Sequence, residues 1–174
     1  MPDKVVYLMR GLPSCGKSTT ARELTRSGGI VLETDEYFYT QVGDDPTRYD
    51  YHAALLPAAR DWNFLRFSEA IAAGRSPIVV DRGNGLNAET RRYARYAVEH
   101  GYRVELKEPD SPQWLEIRVL LQSKQANRQL LYRWADRLAE MSRTGHRVPA
   151  STIRDWMEKW RSDLTVEQIL GHSP

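Results

Sequence analysis

The chain has 174 residues, a formal net charge of +2 and one cysteine, so it is long enough for one domain with its own core and cannot form an internal disulfide. The near balance of charges gives no whole-chain reason to expect nucleic-acid binding. Because the first residues lack a signal peptide's apolar core and no apolar run reaches membrane length, we expect a cytoplasmic protein with no membrane partner.

The first predicted strand, at about residues 4–9, runs directly into the glycine-rich loop Gly11–Ser18. This loop has the pattern G-x-x-x-x-G-K-[ST], whose backbone N–H groups surround phosphate oxygens. Lys17 is expected to reach the β- and γ-phosphates of a nucleotide, and the Ser18 hydroxyl is expected to ligate Mg²⁺. A chance glycine-rich turn is disfavoured because strand, loop and following helix all agree with the motif. The predicted nucleotide-binding residues are Gly11, Pro13, Ser14, Cys15, Gly16, Lys17, Ser18 and Thr19.

Cys15 lies in this loop, close to Lys17 and to a predicted helix N-terminus. Such a position can lower the pKa of a thiol and make it reactive. The alternative is that a small residue fills a variable position of the loop, which we favour because the motif leaves that position unconstrained.

Two carboxylates follow predicted strands, at the sheet edge where parallel α/β proteins place their site residues. Asp35 comes after the short strand Ile30–Glu33 and is predicted to accept a proton from an attacking hydroxyl, or alternatively to cap the turn that follows. Glu36 is a weaker candidate for the base because its side chain should point away from that of Asp35. Asp81 ends the third predicted strand and is predicted to hold Mg²⁺, or alternatively to cap the next loop.

The remaining elements alternate between helices and strands. Helices are predicted at about residues 16–26, 49–73 and 87–101, and a fourth strand is predicted at 102–106. From residue 113 the chain is predicted to be helical, with a break at Pro149 and a short closing helix capped by Thr165. Together with the glycine-rich loop, this alternation predicts an α/β P-loop NTPase fold in one domain, residues 1–174, with a parallel sheet of about four to five strands and helices on both faces.

Several segments carry a family's motifs in the same order. T-D-E-Y-F stands at residues 34–38, D-R-G-N at 81–84, and E-P-D at 108–110. In these motifs the chain resembles small P-loop kinases related to the kinase half of polynucleotide 5′-hydroxyl kinase. Residues 143–149 resemble that family's lid, and the helical material before it, at about 121–141, is longer than in the relatives. We therefore expect a helical extension and lid region at about 113–149.

The resemblance implies ATP-dependent phosphoryl transfer to a hydroxyl, with Lys17, Asp35 and Arg143 as catalytic residues. Two positions depart from the family. The arginine that holds the acceptor's phosphate is Phe38 here, and the threonine of the D-N-T-N motif is missing. Arg82 could replace the absent arginine, and the candidate acceptor-binding residues are Arg82, Asn84 and Arg147.

Three hypotheses remain for the acceptor. The leading one is a kinase for the 5′-hydroxyl of RNA or DNA, and the others are a small-molecule or nucleotide-sugar kinase and an ATPase switch. The GTP-selecting N-K-x-D motif is absent, which favours ATP as the nucleotide. The cationic helix at 121–141 could stack Tyr132 and Trp134 on bases; we favour a solvated helix with ion pairs such as Arg133–Asp136.

Overall fold

Four parallel strands form the centre of the structure, a computed structural model that describes residues 3–81 and 88–171. The order across the sheet is β2-β3-β1-β4, which confirms the predicted parallel α/β sheet with four strands in the described ranges. The strands are β1 (Val5–Met9), β2 (Ile30–Leu32), β3 (Ile78–Asp81) and β4 (Arg103–Lys107).

The α-helices of the described residues alternate with these strands and then continue without them. None has the length and apolar composition needed to cross a bilayer. The helices are α1 (Lys17–Leu24), α2 (Tyr37–Thr40), α3 (Leu56–Ala72), α4 (Ala88–Glu99), α5 (Pro112–Leu121), α6 (Arg128–Met141), α7 (Ala150–Lys159) and α8 (Val166–Ile169).

Alternate residues of β1 face the two sides of the sheet. Val6 and Leu8 pack into a core with α3, α4 and α8, whereas Met9 packs into a smaller cluster with α1 on the opposite face. This arrangement follows from the two-residue period of a strand and confirms the prediction that helices cover both faces.

A third apolar cluster joins the glycine-rich loop to the helices that follow the sheet. Leu12 and Cys15 are fully buried against side chains of α5, α6 and α7. Arg10, also buried, lies 4.0 Å from the ring centre of Trp160 and donates a 2.7 Å hydrogen bond to the Arg161 carbonyl. The loop after β1 is therefore fixed to the end of α7.

Strand register determines which side chains meet at the carboxyl edge of the sheet. Met9 of β1 pairs with Asp81 of β3, and Leu32 of β2 pairs with Val80. Consequently Asp81 lies beside the start of the glycine-rich loop, and Glu33 follows the neighbouring strand at the same edge.

The main disagreement with the predicted elements concerns the helix expected from residue 49. The helix α3 begins at Leu56, with Pro57 in its first turn, because proline is tolerated only where its missing N–H is not needed. The preceding segment, residues 49–52, is irregular. The predicted break at Pro149 and the cap at Thr165 are both confirmed, the latter with a capping box to Gln168. Asn87, the predicted cap of α4, lies outside the described residues.

Candidate active site

The glycine-rich loop turns sharply into α1. Gly16, the residue before the helix, has φ +93°, and Ser14 has φ +61°. A Cβ on Gly11 would lie 3.1 Å from Cγ of Lys17 and 3.2 Å from Cδ of Pro109. The predicted need for glycine therefore has two causes: a left-handed backbone at residue 16, and close approach of the Lys17 side chain at residue 11.

The segment that follows β4 supports this loop from behind. Ser111 Oγ donates a 2.7 Å hydrogen bond to the Cys15 carbonyl, and Gln113 Nε2 donates one of 3.4 Å to the Ser14 carbonyl. Ser111 is also the side-chain cap of α5, where it accepts from the Trp114 N–H. These bonds occupy two carbonyl groups of the loop and hold the loop against the start of α5.

Cys15 is fully buried. Burial raises the pKa of its thiol to about 12, and the nearby Lys17 charge lowers it by less. The lowered thiol pKa, which was the less favoured of the two interpretations, is contradicted, because desolvation of the thiolate outweighs the attraction of the cation. The residue acts as the small buried filler of the alternative interpretation.

Two oxygen ligands stand together at the end of β3. Ser18 Oγ donates a 3.0 Å hydrogen bond to Asp81 Oδ2, and Asp81 is only 7% exposed. A hydroxyl and a carboxylate are hard oxygen donors of the kind that Mg²⁺ prefers. The pair that the sequence predicts for Mg²⁺ thus fits that ion by its chemistry and by its place beside the phosphate loop.

Asp35 lies in the short 3₁₀ turn after β2, and its carboxylate is bound by side chains from two other segments. Tyr49 Oη donates a 3.0 Å hydrogen bond to Asp35 Oδ1, and His146 Nδ1 lies 3.3 Å from Asp35 Oδ2. The capping alternative finds no support, since among the described residues this carboxylate binds side chains and no backbone N–H. Glu36 instead pairs with Arg66 at 3.1 Å, facing away as expected.

Glu33 is an acidic neighbour of Asp35 and Asp81 that was not predicted from the sequence as a site residue. Burial, assisted by the negative charges of Asp81 and Asp35, raises the pKa of its carboxyl to about 8. Glu33 Oε1 lies 3.8 Å from Nε2 of His146. The imidazole thus lies between two carboxyl groups and faces each with a different nitrogen, an arrangement that suits a bridging His side chain better than one metal ion shared by all three.

The phosphate loop and Asp35 line one cavity of about 1110 Å³. Its walls include six of the predicted nucleotide-binding residues, together with Asp81 from β3. Residues 142–149, here called the lid segment, close another side. The nucleotide-binding residues on its walls are Pro13, Ser14, Gly16, Lys17, Ser18 and Thr19.

The two predicted lid arginines are placed differently. Arg147, with φ +50°, lines the cavity, and its Nε donates a 3.3 Å hydrogen bond to the Arg143 carbonyl. The Arg143 side chain is 72% exposed and pairs with Glu140 at 2.9 Å, in an adjoining groove that Arg147 also lines. The structure thus brings Arg147, but not Arg143, to the cavity with Lys17 and Asp35. Arg82 and Asn84 lie outside the described residues.

The segment predicted as the start of a helix instead supplies cavity walls. Tyr49, Tyr51, Leu56 and Arg60 all line the cavity. The sequence could have marked Arg60, because helical spacing places it on the same face of α3 as the buried residues Asn63 and Phe67. Nothing local in the sequence marked Tyr49, because its role depends on a contact with a residue fourteen positions earlier.

Phe38, which replaces the family's arginine, is fully buried. Its ring centre lies 5.8 Å from that of Tyr49 and 4.9 Å from that of Tyr51. This residue therefore packs behind the cavity wall and fixes the two tyrosines, a structural role in place of the family's anion contact.

The basic helix α6 is occupied by contacts within the protein. Trp134 is buried, and Tyr132 Oη donates a 2.7 Å hydrogen bond to Glu158. The predicted Arg133–Asp136 pair does not form, because Asp136 pairs with Arg154 at 2.9 Å. The favoured interpretation of an ion-paired helix agrees with these contacts, although the partners lie on α7.

Comparison with known proteins gives a matching family and several relatives, which include two human proteins. Residues 6–159 match a family model described as "AAA domain". Over 109 residues the chain is 37% identical to NEDD4-binding protein 2 from Homo sapiens, with 62% of this chain and 6% of that protein covered. It is 28% identical over 130 residues to YLP motif-containing protein 1 from Homo sapiens, again with 62% of this chain and 6% of the relative covered.

The chain thus spans about 6% of the length of these relatives. The family match is much broader, since it includes the phosphate loop, Asp35, Asp81 and the lid segment. The chain therefore belongs to the AAA domain family and is a P-loop nucleotide-binding domain.

Proposed function

We propose that this domain transfers the γ-phosphoryl group of ATP to a hydroxyl, and that the leading acceptor is the 5′-hydroxyl of a polynucleotide. The single observation that carries the proposal is the shared cavity, which has Lys17 and Ser18 on one wall and the carboxylate of Asp35 on another. A phosphate loop alone supports nucleotide binding, whereas a carboxylate facing the same space adds a proton acceptor for an attacking alcohol.

The chemistry follows from the contacts of each group. The loop N–H groups and Lys17 bind the phosphates, and Ser18 and Asp81 hold Mg²⁺, which neutralises charge on the transferred group. Asp35 removes the proton from the acceptor hydroxyl as its oxygen attacks the γ-phosphorus, and ADP leaves. The Tyr49 hydroxyl fixes the rotamer of Asp35 through Oδ1, and the acceptor hydroxyl takes the place of His146 at Oδ2, from which the imidazole Nδ1 lies 3.3 Å away in this structure.

The lid segment supplies a further cation to this cavity. Arg147 lines the cavity and is supported by the Arg143 carbonyl. A guanidinium beside the transferring phosphoryl group stabilises its negative charge, an effect worth about 10³–10⁵ in rate in other phosphoryl-transfer enzymes. We therefore assign the γ-phosphate contact to Arg147 and a supporting role to Arg143.

A polynucleotide acceptor is supported by the family resemblance in the motifs around Asp35 and Asp81. The cavity is also large enough for a second molecule beside a nucleotide, and Tyr51, which is 49% exposed, offers a ring against which a base could stack. Phe38 in place of an arginine means that the acceptor must be held differently from the family's pattern.

The test is an acceptor panel with γ-labelled ATP and Mg²⁺. The arms are a 5′-hydroxyl oligonucleotide, free nucleosides, a nucleotide sugar and no acceptor. We expect label on the oligonucleotide and little phosphate release without acceptor. Label on the nucleosides or the nucleotide sugar alone would support a small-molecule kinase. Phosphate release at the same rate with and without any acceptor would support an ATPase. Lys17→Ala is the control, because it should abolish turnover in every arm.

A further inference from the structure

We propose that Arg60 binds an anionic group of the acceptor, so that the acceptor carries a phosphate close to the hydroxyl that is phosphorylated. This inference rests on the proposed function, because it assigns the second substrate of the same cavity. Phe38 has no charge with which to hold an anion, and Arg60 supplies that charge from a different element, the first turns of α3.

The position of Arg60 is unusual for a cation. It lies on the inward stripe of α3, one turn after Leu56 and just before the buried Asn63, and it lines the cavity. Its Nε is buried and has no hydrogen-bond partner, and its guanidinium forms no ion pair within residues 3–81 and 88–171. Leaving a buried donor unpaired costs free energy, which a bound anion would recover.

The other cations of the cavity are committed elsewhere. Lys17 belongs to the phosphate loop, Lys159 pairs with Asp155 at 3.0 Å, and Arg147 is tied to the lid segment. Outside the cavity on the same helix, Arg66 pairs with Glu36. Among the described cavity residues, Arg60 is therefore the cation that has no ion-pair partner in the protein and no assigned contact with the phosphates of the nucleotide.

The charge around Asp35 explains why the acceptor needs such a contact. Asp35 faces this end of the cavity, with Asp81 beyond it, and the field of these two carboxylates repels an incoming phosphate. A guanidinium offers two parallel N–H donors to phosphate oxygens, which gives orientation as well as attraction. The helix α3 also packs against the turn that carries Asp35, so a phosphate on Arg60 has a fixed relation to the base.

The ligand chemistry is therefore a hydroxyl compound with a phosphate nearby. A 5′-hydroxyl nucleic-acid end has this form, because a 3′-phosphodiester lies on the same ribose, and a nucleoside 3′-monophosphate is its smallest version. A phosphorylated sugar without a base offers the same chemistry from a small molecule. The Tyr51 ring favours the base-containing ligand.

The first experiment measures binding without transfer. With the donor site filled by a non-hydrolysable ATP analogue and Mg²⁺, calorimetry compares a 5′-hydroxyl oligonucleotide, a nucleoside 3′-monophosphate, the nucleoside and a sugar phosphate. We expect the phosphorylated nucleoside to bind more tightly than the nucleoside. Arg60→Gln should weaken that binding roughly 10- to 100-fold, the effect of one charge-assisted contact, and Arg60→Lys should weaken it less. Arg26→Gln, which changes an exposed arginine just beyond the end of α1, is the matched control.

Equal binding of nucleoside and nucleoside 3′-monophosphate, or unchanged binding by Arg60→Gln, would overturn the assignment. A sugar phosphate that binds as well as the nucleotide would keep Arg60 as the anion contact and move the substrate to the small-molecule class. Transfer kinetics then separate the two proposals. If Arg60→Gln raises KM for the acceptor but not for ATP, Arg60 is a specificity residue. If the parent protein binds acceptors yet only hydrolyses ATP, the proposed function fails while the anion site stands.

Discussion

The donor and acceptor ends of the cavity are built in different ways. The donor end is one continuous loop, residues 11–19, whose shape depends on backbone dihedrals and on support from Ser111 and Gln113. The acceptor end combines side chains from four separate segments: Asp35, Tyr49, Arg60 and His146. Local sequence therefore determines the donor end, whereas tertiary packing determines the acceptor end, and mutations should affect the two ends separately.

The sharpest test of that separation is Asp35→Asn. An amide keeps the shape of the side chain but cannot accept the hydroxyl proton, so phosphoryl transfer should fall by at least ~10². Binding of ATP, measured by calorimetry, should stay close to that of the parent protein. Asp44→Asn, which changes an exposed carboxylate in the next loop, should change neither. A protein that still transfers phosphate after Asp35→Asn would exclude Asp35 as the base.

A smaller effect at the same end is expected for Tyr49→Phe. The Tyr49 hydroxyl stays protonated, because burial and the Asp35 charge raise its pKa, and it donates to Asp35 at 3.0 Å. Without that bond Asp35 is less well oriented, and kcat should fall about tenfold, as for a hydrogen bond to a charged group.

Two comparisons identify the cause of that loss. Tyr37→Phe removes a hydroxyl that forms no hydrogen bond within the described residues, and it should leave kcat unchanged. The KM for ATP should be unchanged in both variants. A rise in that KM with Tyr49→Phe would mean that the two ends are coupled more strongly than their separate construction suggests.

The donor end is tested by Gly11→Ala. The added Cβ would lie 3.1 Å from Cγ of Lys17 and 3.2 Å from Cδ of Pro109, at a φ of +157°. The Lys17 side chain or the loop must therefore shift, and affinity for ATP should fall several-fold, up to about tenfold. Gly28→Ala is the control for backbone strain, since Gly28 has φ +128° but open space around its Cβ position. Equal loss of ATP affinity in both variants would attribute the effect to strain and not to Lys17.

These differences also explain how much of the site could be predicted from the sequence. The phosphate loop with Ser18 was predicted from its motif after β1, and Asp81 because it ends a strand; strand register then brings them together. Tyr49 was placed in a helix because the apolar spacing extends back to residue 49, although Pro57 was also interpreted as a first-turn residue or a break, and the structure confirms its place in the first turn of α3. Local spacing also predicted the Arg133–Asp136 pair, whereas the structure pairs Asp136 with a residue on the facing helix.

The lid segment also has contacts that its local sequence does not predict. Its motif correctly predicts a break before α7 but not which arginine faces the cavity, because the left-handed backbone at Arg147 and the pairing of Arg143 with Glu140 are properties of the folded chain. His146 likewise carries no local signal of its contact with Asp35, which joins residues more than a hundred positions apart.

Glu33 lies between the two ends, and its substitution should give the smallest effect, a change in stability with pH. Burial and the charges of Asp81 and Asp35 raise the pKa of its carboxyl to about 8 in the folded protein, against about 4.3 in an unfolded chain. Between these values the folded state binds more protons than the unfolded state. The contribution of Glu33 to the free energy of unfolding therefore decreases as pH rises from about 4.3 to 8.

Glu33→Gln removes this titration and keeps a side chain of the same size. In urea unfolding of nucleotide-free protein with EDTA, the parent should lose stability relative to Glu33→Gln between pH 5 and pH 8. Glu23→Gln, on the exposed face of α1, should follow the parent at both pH values. If the parent instead gained stability over Glu33→Gln on going to pH 8, the Glu33 carboxylate would be stabilised by a cation, and the acidic repulsion that we invoke for Arg60 would be weaker. The pH dependence of stability therefore also tests whether negative charge at the acceptor end is strong enough to require a cation for acceptor binding.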